Sequence, residues 1–559
     1  MPDLDKARQV VGQAAEKLYA VAARAPLFAL GLCLGLQTLL HLQSRALWFS
    51  DEIRYADAFT HLVRDHKWIA LYLNGQFYPD KPPVYFWFLA LIRWGTNLDG
   101  PPLFFLGAAF SGLAFVWCTY LLARTVLAAS RETSLAAGLV LLGAFYFVGL
   151  CHYSRMDLLF GAMILLSCIC LYRAWQLPAA LGWTVVGFGL AGLAVLIKGP
   201  LGLVFPLLAS LAYLFWTRKL GRLRRRDVAI GAGVCLGLLA AWLAAALLVE
   251  DPAYLKNIFH DQIYRRAVNT WHHEQPFYHY FLTLPAAWMP WTLVLAALDW
   301  TWVLQPTFWD KIWSSRDAGT QGDGRVFLWC LCGSGFVLLS ALSIKIVVYL
   351  VPLLGPLAVL TADALARLEA KRCERFGLCV AVLWALIGLA LPFANLLHPW
   401  PISIRGVIPA GLLALALAWF LWKLAPRQSP FGFLLCMVLA ATLWFQPVAL
   451  VTAPSLDAAM SPKAQAEDLA AYANQGYYPV AYKVYPGTYT YYAGRTIHET
   501  ADLAELEKIV STRAKVAVVM RKKHWNQWES RPQSLSVVHE QWIADQPYVL
   551  AVKAEGASG

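Results

Sequence analysis

Charge is scarce in this 559-residue chain: only 14% of residues are Asp, Glu, Lys or Arg, against about a quarter in a soluble globular protein. Most of its surface is therefore not built to face water. Cysteine stops at Cys436, and the 11 cysteines include no CxxC pair. That excludes a disulfide framework and a thiolate zinc site as organising features, and the cysteines read as small core hydrophobes. There is no glycine-rich phosphate loop, no low-complexity segment and no echo of one half of the chain in the other. The missing repeat weighs against secondary-transporter folds. No small-residue cleavage site follows the first apolar run, so that run is expected to be a retained helix and not a removable signal peptide. The net charge is +12, yet no soluble basic face exists to receive a nucleic acid. Basic cytoplasmic loops and anionic lipid headgroups account for the excess.

Apolar sequence is what the chain has in abundance. Hydrophobic residues make up 59% of it, and runs of about 17–25 residues, the length that spans a bilayer as a helix, recur to about residue 452. Fourteen runs stand out: 27–47, 83–96, 101–123, 134–150, 157–176, 181–197, 200–217, 228–249, 281–305, 326–343, 346–366, 377–398, 405–423 and 431–452. Basic loops decide which of them cross. "RKLGRLRRRD" (218–227) carries six Lys or Arg, and "RLEAKRCER" (367–375), Arg124 with Arg131, Lys423 with Arg427 and the basic N-terminus repeat the signal. All fall on one, cytoplasmic side only if one early run does not cross. The run 83–96 is short, follows Pro82-Pro83 and contains Arg93, so it reads as interfacial. The expectation is a polytopic α-helical membrane protein of about 13 transmembrane helices, with its N-terminus inside and its tail outside. Residues 1–452 form the membrane domain. Residues 453–559, which alternate helix-like runs (464–475, 502–511) with strand-like ones (478–484, 515–520, 535–540, 547–553), form a small extracytoplasmic α/β domain.

In this topology the loops 48–100 and 250–280 share the outer face, and they hold most of the unusual polar residues. "WFSDEIRYADAF" (48–59) offers Ser50 as a helix cap, with Asp51 and Glu52 in a first turn that favours anions. Asp51, Arg54 and Tyr55 lie at i, i+3 and i+4, on one face, while Asp57 lies away from it. An ionised Asp beside a fixed Arg suits proton transfer next to a bound phosphate. Glu52 reads as helix-start charge. Asp80-Lys81 precede the double proline, offering a carboxylate for a metal and a cation for a lipid phosphate. Arg155 and Asp157 sit at the outer end of a span, where charges are costly unless paired or used. The loop 250–280 supplies His260, His272, His273, His279 and the pair Arg265-Arg266, a phosphate-binding candidate. Its histidines match no strict zinc spacing. Lys198 and Lys345 also map to outer ends of spans, against the positive-inside trend, as an anionic ligand would require. An outward cavity of cations, carboxylates and aromatics suits a lipid that carries a phosphate and a sugar.

The order of these motifs resembles the GT-C family of lipid-phosphate-dependent glycosyltransferases, in its protein O-mannosyltransferase and aminoarabinose-transferase (ArnT-like) branch. The matching pieces are "DEIRYADA" (51–58), "DKPPVYFW" (80–87), "SRMDLLF" (154–160), "KGP" (198–200), "HEQPFYHY" (273–280) and "KIVVYLVP" (345–352). The resemblance implies that Asp51 is the catalytic Asp, that Arg54 and Lys81 meet the lipid phosphate, and that Asp157 and Tyr349 line the donor cavity. It also implies that His273, with Asp80, holds a divalent metal such as zinc, magnesium or manganese. It makes the chain a bacterial inner-membrane enzyme, expected as a monomer, that takes a sugar from a polyprenyl phosphate, undecaprenyl phosphate in the aminoarabinose branch, and places it on lipid A or another extracytoplasmic acceptor. Where the aminoarabinose branch typically reads "FEKPP", this chain reads "PDKPP". Related hexose transfer is thus an alternative, and an anionic-lipid flippase is the rival from another class.

Overall fold

The computed structural model describes residues 2–249, 275–298, 300, 301, 305, 323–424 and 429–553. The chain opens with helices α1 (Pro2–Ala22) and α2 (Pro26–Thr38). Helix α3 (Asp51–Arg64), a hairpin of β1 (Tyr72–Leu73) and β2 (Gln76–Phe77), and helix α4 (Val84–Thr96) follow. Then come α5 (Pro101–Thr125), α6 (Arg131–Gly143), α7 (Phe145–Leu150), α8 (Asp157–Gln176), α9 (Leu181–Lys198), α10 (Leu201–Trp216) and α11 (Arg226–Val249).

Among the described residues, nine helices are long and apolar enough to cross a membrane, or up to eleven if each of two bent pairs is one span. The bent pairs are Val10–Ala22 with Pro26–His41, at 115°, and His279–Ala287 with Trp291–Ala297, at 101°. Proline explains both breaks, because Pro26 and Pro290 cannot donate to the preceding turn. Two other expected runs fall short of the single-helix length. The run 134–150 breaks at Ala144, whose extended backbone (φ −82°, ψ 115°) separates α6 from α7, and α10 has 16 residues. Helix α4 covers 13 residues, about 20 Å against a hydrocarbon core of about 30 Å. Its Trp94 is 81% exposed.

The two ends of the bundle differ chemically. At one end, Arg225 donates to the carbonyls of Ala174 and Leu177 behind α8, and Asp227 accepts from Ala180 N–H. Arg325 and Arg367 both pair with Asp363 at the end of helix Val351–Leu365. The other end gathers the N-terminus of α8, the C-terminus of α9 and the 3-10 turn Val347–Leu350 that leads into Val351–Leu365.

The last part of the chain forms a five-stranded sheet. Its strands are β3 (Tyr478–Tyr482), β4 (His498–Thr500), β5 (Val516–Arg521), β6 (Leu535–Ile543) and β7 (Gln546–Lys553), in the order β4-β3-β5-β7-β6. β3 pairs parallel with β4 and β5, and β7 pairs antiparallel with β5 and β6. Strand alternation divides the side chains. Ala481, Ala517 and Val519 pack under helix Lys463–Asn474, while Val480, Val516, Val518 and Met520 pack on the opposite face with helix Leu503–Thr512. The unit is seated on residues 46–49: Asp457 accepts from Ala46 N–H (2.8 Å) and Trp48 Nε1–H (2.6 Å), Tyr492 Oη accepts from Leu47 N–H (2.7 Å), and Phe49 N–H donates to Met460 O (2.8 Å). The sheet therefore lies over α3, at the same end of the bundle as the start of α8.

Candidate active site

Helix α3 starts at Asp51, but the side chain of Ser50 makes no capping hydrogen bond; the expected cap is absent. The two acidic residues of the first turn serve different ends. Glu52 is 0% exposed. It accepts from Arg45 Nη1 (2.7 Å) and Nη2 (2.8 Å), from Trp48 N–H (2.8 Å) and from Ser154 N–H (2.7 Å). A forked guanidinium and two backbone donors satisfy the carboxylate completely enough to keep it buried. Glu52 is thus no exposed helix-start charge. It joins the 45–48 segment to the turn before α8 and fixes where α3 begins.

Asp51 points elsewhere. Its Oδ2 accepts from Arg155 Nη1 at 2.9 Å, with the carboxylate 18% exposed. Arg155 Nε reaches Asp157 Oδ2 at 3.0 Å, and Asp157 Oδ1 takes the ammonium of Lys198. Lys198 Nζ lies 4.5 Å above the Tyr349 ring. Local structure explains the chain of charges. Asp157 is the first residue of α8 and Lys198 the last of α9, so each charge sits at the helix end whose dipole favours it, and the antiparallel packing brings the two ends together. Four charged groups, from α3, the turn before α8, α8 and α9, alternate in sign, with Asp51 and Arg155 the partly exposed members.

Arg54 does not bond Asp51. Its Nη1 donates to Tyr485 Oη at 2.9 Å, its Nη2 stands 3.8 Å from Asp80 Oδ2, and its guanidinium lies over the rings of Tyr485 (4.3 Å) and Tyr78 (5.0 Å). The side chain is 7% exposed, and its Nε has no hydrogen-bond partner. Burial alone would lower its pKa, but Tyr78, Tyr485, Asp80 and Asp51 around it hold it above the usual arginine value. It is a fixed cation with a donor to spare. Tyr55 is buried against Tyr85 and Phe86 (5.8–6.1 Å between centroids), so it forms the wall behind α3 and does not line an open cavity. Lys81 is half-buried on the turn before α4. Lys345 departs from its expected place in the cavity: it is buried, and its ammonium donates to Gln275 O (3.0 Å) and Leu342 O, closing a backbone turn. Arg265, Arg266 and His273 lie outside the described residues. The expected pairing of Asp80 with His273 therefore falls outside the described residues, and among the described residues no group of three His, Cys, Asp or Glu side chains that could hold a metal ion comes together.

Three members of this arrangement were not singled out as site residues from the sequence. Arg155 was noticed only as an interfacial ion-pair partner. Tyr78 sits three residues before Lys81, within reach of motif reasoning. Tyr485 lies 431 positions from Arg54, and no local pattern signals it.

The described geometry joins a carboxylate, an ordered cation relay and a second, aromatic-caged cation at one end of an apolar bundle. A family model described as dolichyl-phosphate-mannose-protein mannosyltransferase matches residues 80–244. An undecaprenyl phosphate-alpha-4-amino-4-deoxy-L-arabinose arabinosyl transferase of Pseudomonas fluorescens is 30% identical over 432 residues, 74% of this chain and 72% of that protein. The chain belongs to this aminoarabinose-transferase family. Other family members are matched less fully: a second P. fluorescens protein at 31% identity over 59% of this chain and 54% of its own length, and a Pseudomonas savastanoi one at 32% over 65% and 66%. The chain thus spans about half to two thirds of the length of these aminoarabinose-transferase relatives. Its fold is similar to that of ArnT from Cupriavidus metallidurans bound to undecaprenyl phosphate, with a TM-score of 0.74, 19% identity and coverage of 97% of this chain and 98% of that one.

Proposed function

We propose that the chain is an inverting glycosyltransferase that moves 4-amino-4-deoxy-L-arabinose from undecaprenyl phosphate to a lipid A phosphate at the outer face of a bacterial inner membrane. The observation that carries this reading is the relay Asp51–Arg155–Asp157–Lys198, set beside the caged Arg54 at the end of the bundle where α8 begins. Family membership and the likeness to an ArnT fold support the same substrates. In this reading the chain crosses the membrane thirteen times as a monomer, with residues 453–559 as a periplasmic domain over the site and the basic loops in the cytoplasm.

The chemistry is a displacement at the anomeric carbon. The bond from that carbon to the donor phosphate oxygen breaks, and its electron pair leaves with undecaprenyl phosphate. Arg54 and Lys81, with Arg265 and Arg266 from the loop 250–280, hold the departing charge. An acceptor phosphate oxygen forms the new bond from the opposite face. That nucleophile is already ionised, so Asp51 has little proton to remove; it orients the sugar and stabilises positive charge growing at the ring. With a hydroxyl acceptor the same carboxylate would take the proton. Asp80 and His273 would supply the ligands if a divalent metal assists the donor phosphate. A flippase would need ionisable residues near the bilayer midplane, whereas the relay sits at helix ends. Purified chain given undecaprenyl-phosphate aminoarabinose and lipid A should produce lipid A heavier by one sugar residue on mass spectrometry. Transfer of a hexose in place of aminoarabinose would reassign the donor, and no product with either donor would overturn the reading.

A further inference from the structure

Helix α3 carries a second polar cavity on its other side. Asp57 lies six residues beyond Asp51, about 9 Å along the axis and well round the helix. The cavity beside it has a volume of about 350 Å³, within the range of small-ligand sites. It is enclosed by α3, the β1–β2 turn and residues 490–496 of the sheet unit.

Its floor is rigid and already bonded. Asp57 Oδ2 accepts from Asn74 N–H at 2.7 Å. The Asn74 side chain donates to Ile497 O (2.7 Å) and accepts from Ile497 N–H (2.9 Å). His61 accepts from Gly75 N–H at Nε2 (3.3 Å) and shares its Nδ1 proton with Asp65 (2.5 Å). These bonds pin the β1–β2 turn between α3 and the sheet unit, so the cavity is built from three separate parts of the chain. Its rim is cationic. Arg64 is 54% exposed and answered by Asp65. Arg495 donates to the neutral side-chain oxygen of Asn474 and makes no ion pair among the described residues. It sits just past Gly494, whose left-handed φ of +63° turns the backbone towards the rim. Thr490, Tyr491 and Tyr492 complete the wall, though the Tyr492 hydroxyl is held by Leu47 N–H and the Thr490 hydroxyl donates to Gly487 O. Burial also pushes the Asp57 carboxyl above the ordinary carboxylate value.

We infer that this cavity binds an anionic saccharide, a phosphorylated sugar whose anion meets Arg495 and Arg64 and whose hydroxyls meet the Thr, Tyr and Asn groups below. A bare apolar tail would leave the rim guanidiniums and the polar side chains unused, and a simple anion would leave the hydroxyls and rings unused. The identity of that saccharide as the distal part of the acceptor rests on the transferase reading above; the binding site itself does not. A cavity on the reverse face of the catalytic helix would hold the acceptor's glycan while its reacting group lies at Asp51.

The test uses the full chain in detergent, titrated calorimetrically with glucose 1-phosphate and, in parallel, with glucose and with inorganic phosphate. Glucose 1-phosphate should bind saturably and more tightly than either fragment. Arg495→Ala, an exposed change that leaves the floor intact, should weaken it about tenfold or more, the loss of one charge-assisted hydrogen bond. Arg495→Lys should lie between, and Asp51→Asn should bind as wild type. Equal affinity for inorganic phosphate, an unaffected Arg495→Ala, or loss of binding in Asp51→Asn would each overturn the site. In the transfer reaction Arg495→Ala should raise the KM for lipid A with kcat unchanged. Weakened saccharide binding with an unmoved KM would keep the site and overturn its identification with the acceptor.

Discussion

Arg155 gives the sharpest functional prediction. Among the described residues it is the one group that touches both carboxylates of the relay, at 2.9 Å to Asp51 and 3.0 Å to Asp157. Arg155→Ala deletes both contacts. The two ends then behave differently. Asp157 keeps Lys198, so the buried carboxylate stays paired and the fold survives. Asp51 loses the guanidinium that aims it. A charge-assisted hydrogen bond is worth about 1.5–3 kcal/mol, and each 1.4 kcal/mol is about tenfold. If the bond holds Asp51 in its reactive geometry, kcat/KM should fall about 10- to 100-fold. Arg155→Lys should recover only part of this, because one ammonium cannot span two carboxylates as a planar fork does. The assay is transfer to lipid A by wild type, Arg155→Ala and Arg155→Lys, with thermal unfolding of each in detergent. A kcat/KM for Arg155→Ala within about twofold of wild type, at unchanged stability, would refute the argument; so would full rescue by lysine.

Two further changes separate framework from chemistry. Glu52→Ala leaves the buried Arg45 without its carboxylate and two N–H groups without an acceptor, so it should destabilise by about 3–5 kcal/mol; an unchanged unfolding midpoint would show that Glu52 is not the joint described above. Asp57 has its carboxyl pushed up by burial, so the folded state favours the protonated form. The stability this contributes is present below the ordinary Asp range and lost as pH rises through the raised value. Asp57→Asn has no charge to bury, so its stability relative to wild type should improve as pH rises above the ordinary Asp range, as read from unfolding midpoints against pH; a constant difference would contradict it.

Much of the site could be read from the sequence because its residues lie close to helix ends. Asp157 and Lys198 begin and end helices that apolar runs delimit, Asp51 begins one that its acidic first turn marks, and a charge at such a boundary invites a partner. Their pairing was harder to see. Helix spacing suggested Arg54 as the neighbour of Asp51, but Arg54 is drawn to Tyr485 and Asp80, and Arg155 takes its place through a turn that no periodicity predicts. Glu52 and Lys345 show the limit from the other side. Both occupy positions where a surface charge is the ordinary reading, and both are buried because a backbone group from a distant segment, Ser154 N–H or Gln275 O, joins a local one on them. Burial of that kind is a property of the tertiary assembly. The same holds for the helix count: residues 134–150 are apolar throughout, yet the backbone breaks at Ala144, which composition does not register. In the tail, the strand-like runs 478–484 and 515–520 coincide with β3 (Tyr478–Tyr482) and β5 (Val516–Arg521), while the three-residue β4 (His498–Thr500) is too short to carry a pattern.

The central claim is that Asp51 carries the transfer, and Asp51→Asn measures it most directly. The amide keeps the size of the side chain and removes only the charge. Wild type and Asp51→Asn, matched for unfolding midpoint, should be given undecaprenyl-phosphate aminoarabinose and lipid A, and single-turnover product followed by mass. The account predicts product from wild type and a rate at least about a hundredfold lower from Asp51→Asn, with donor binding retained. Wild-type rates from Asp51→Asn would contradict it.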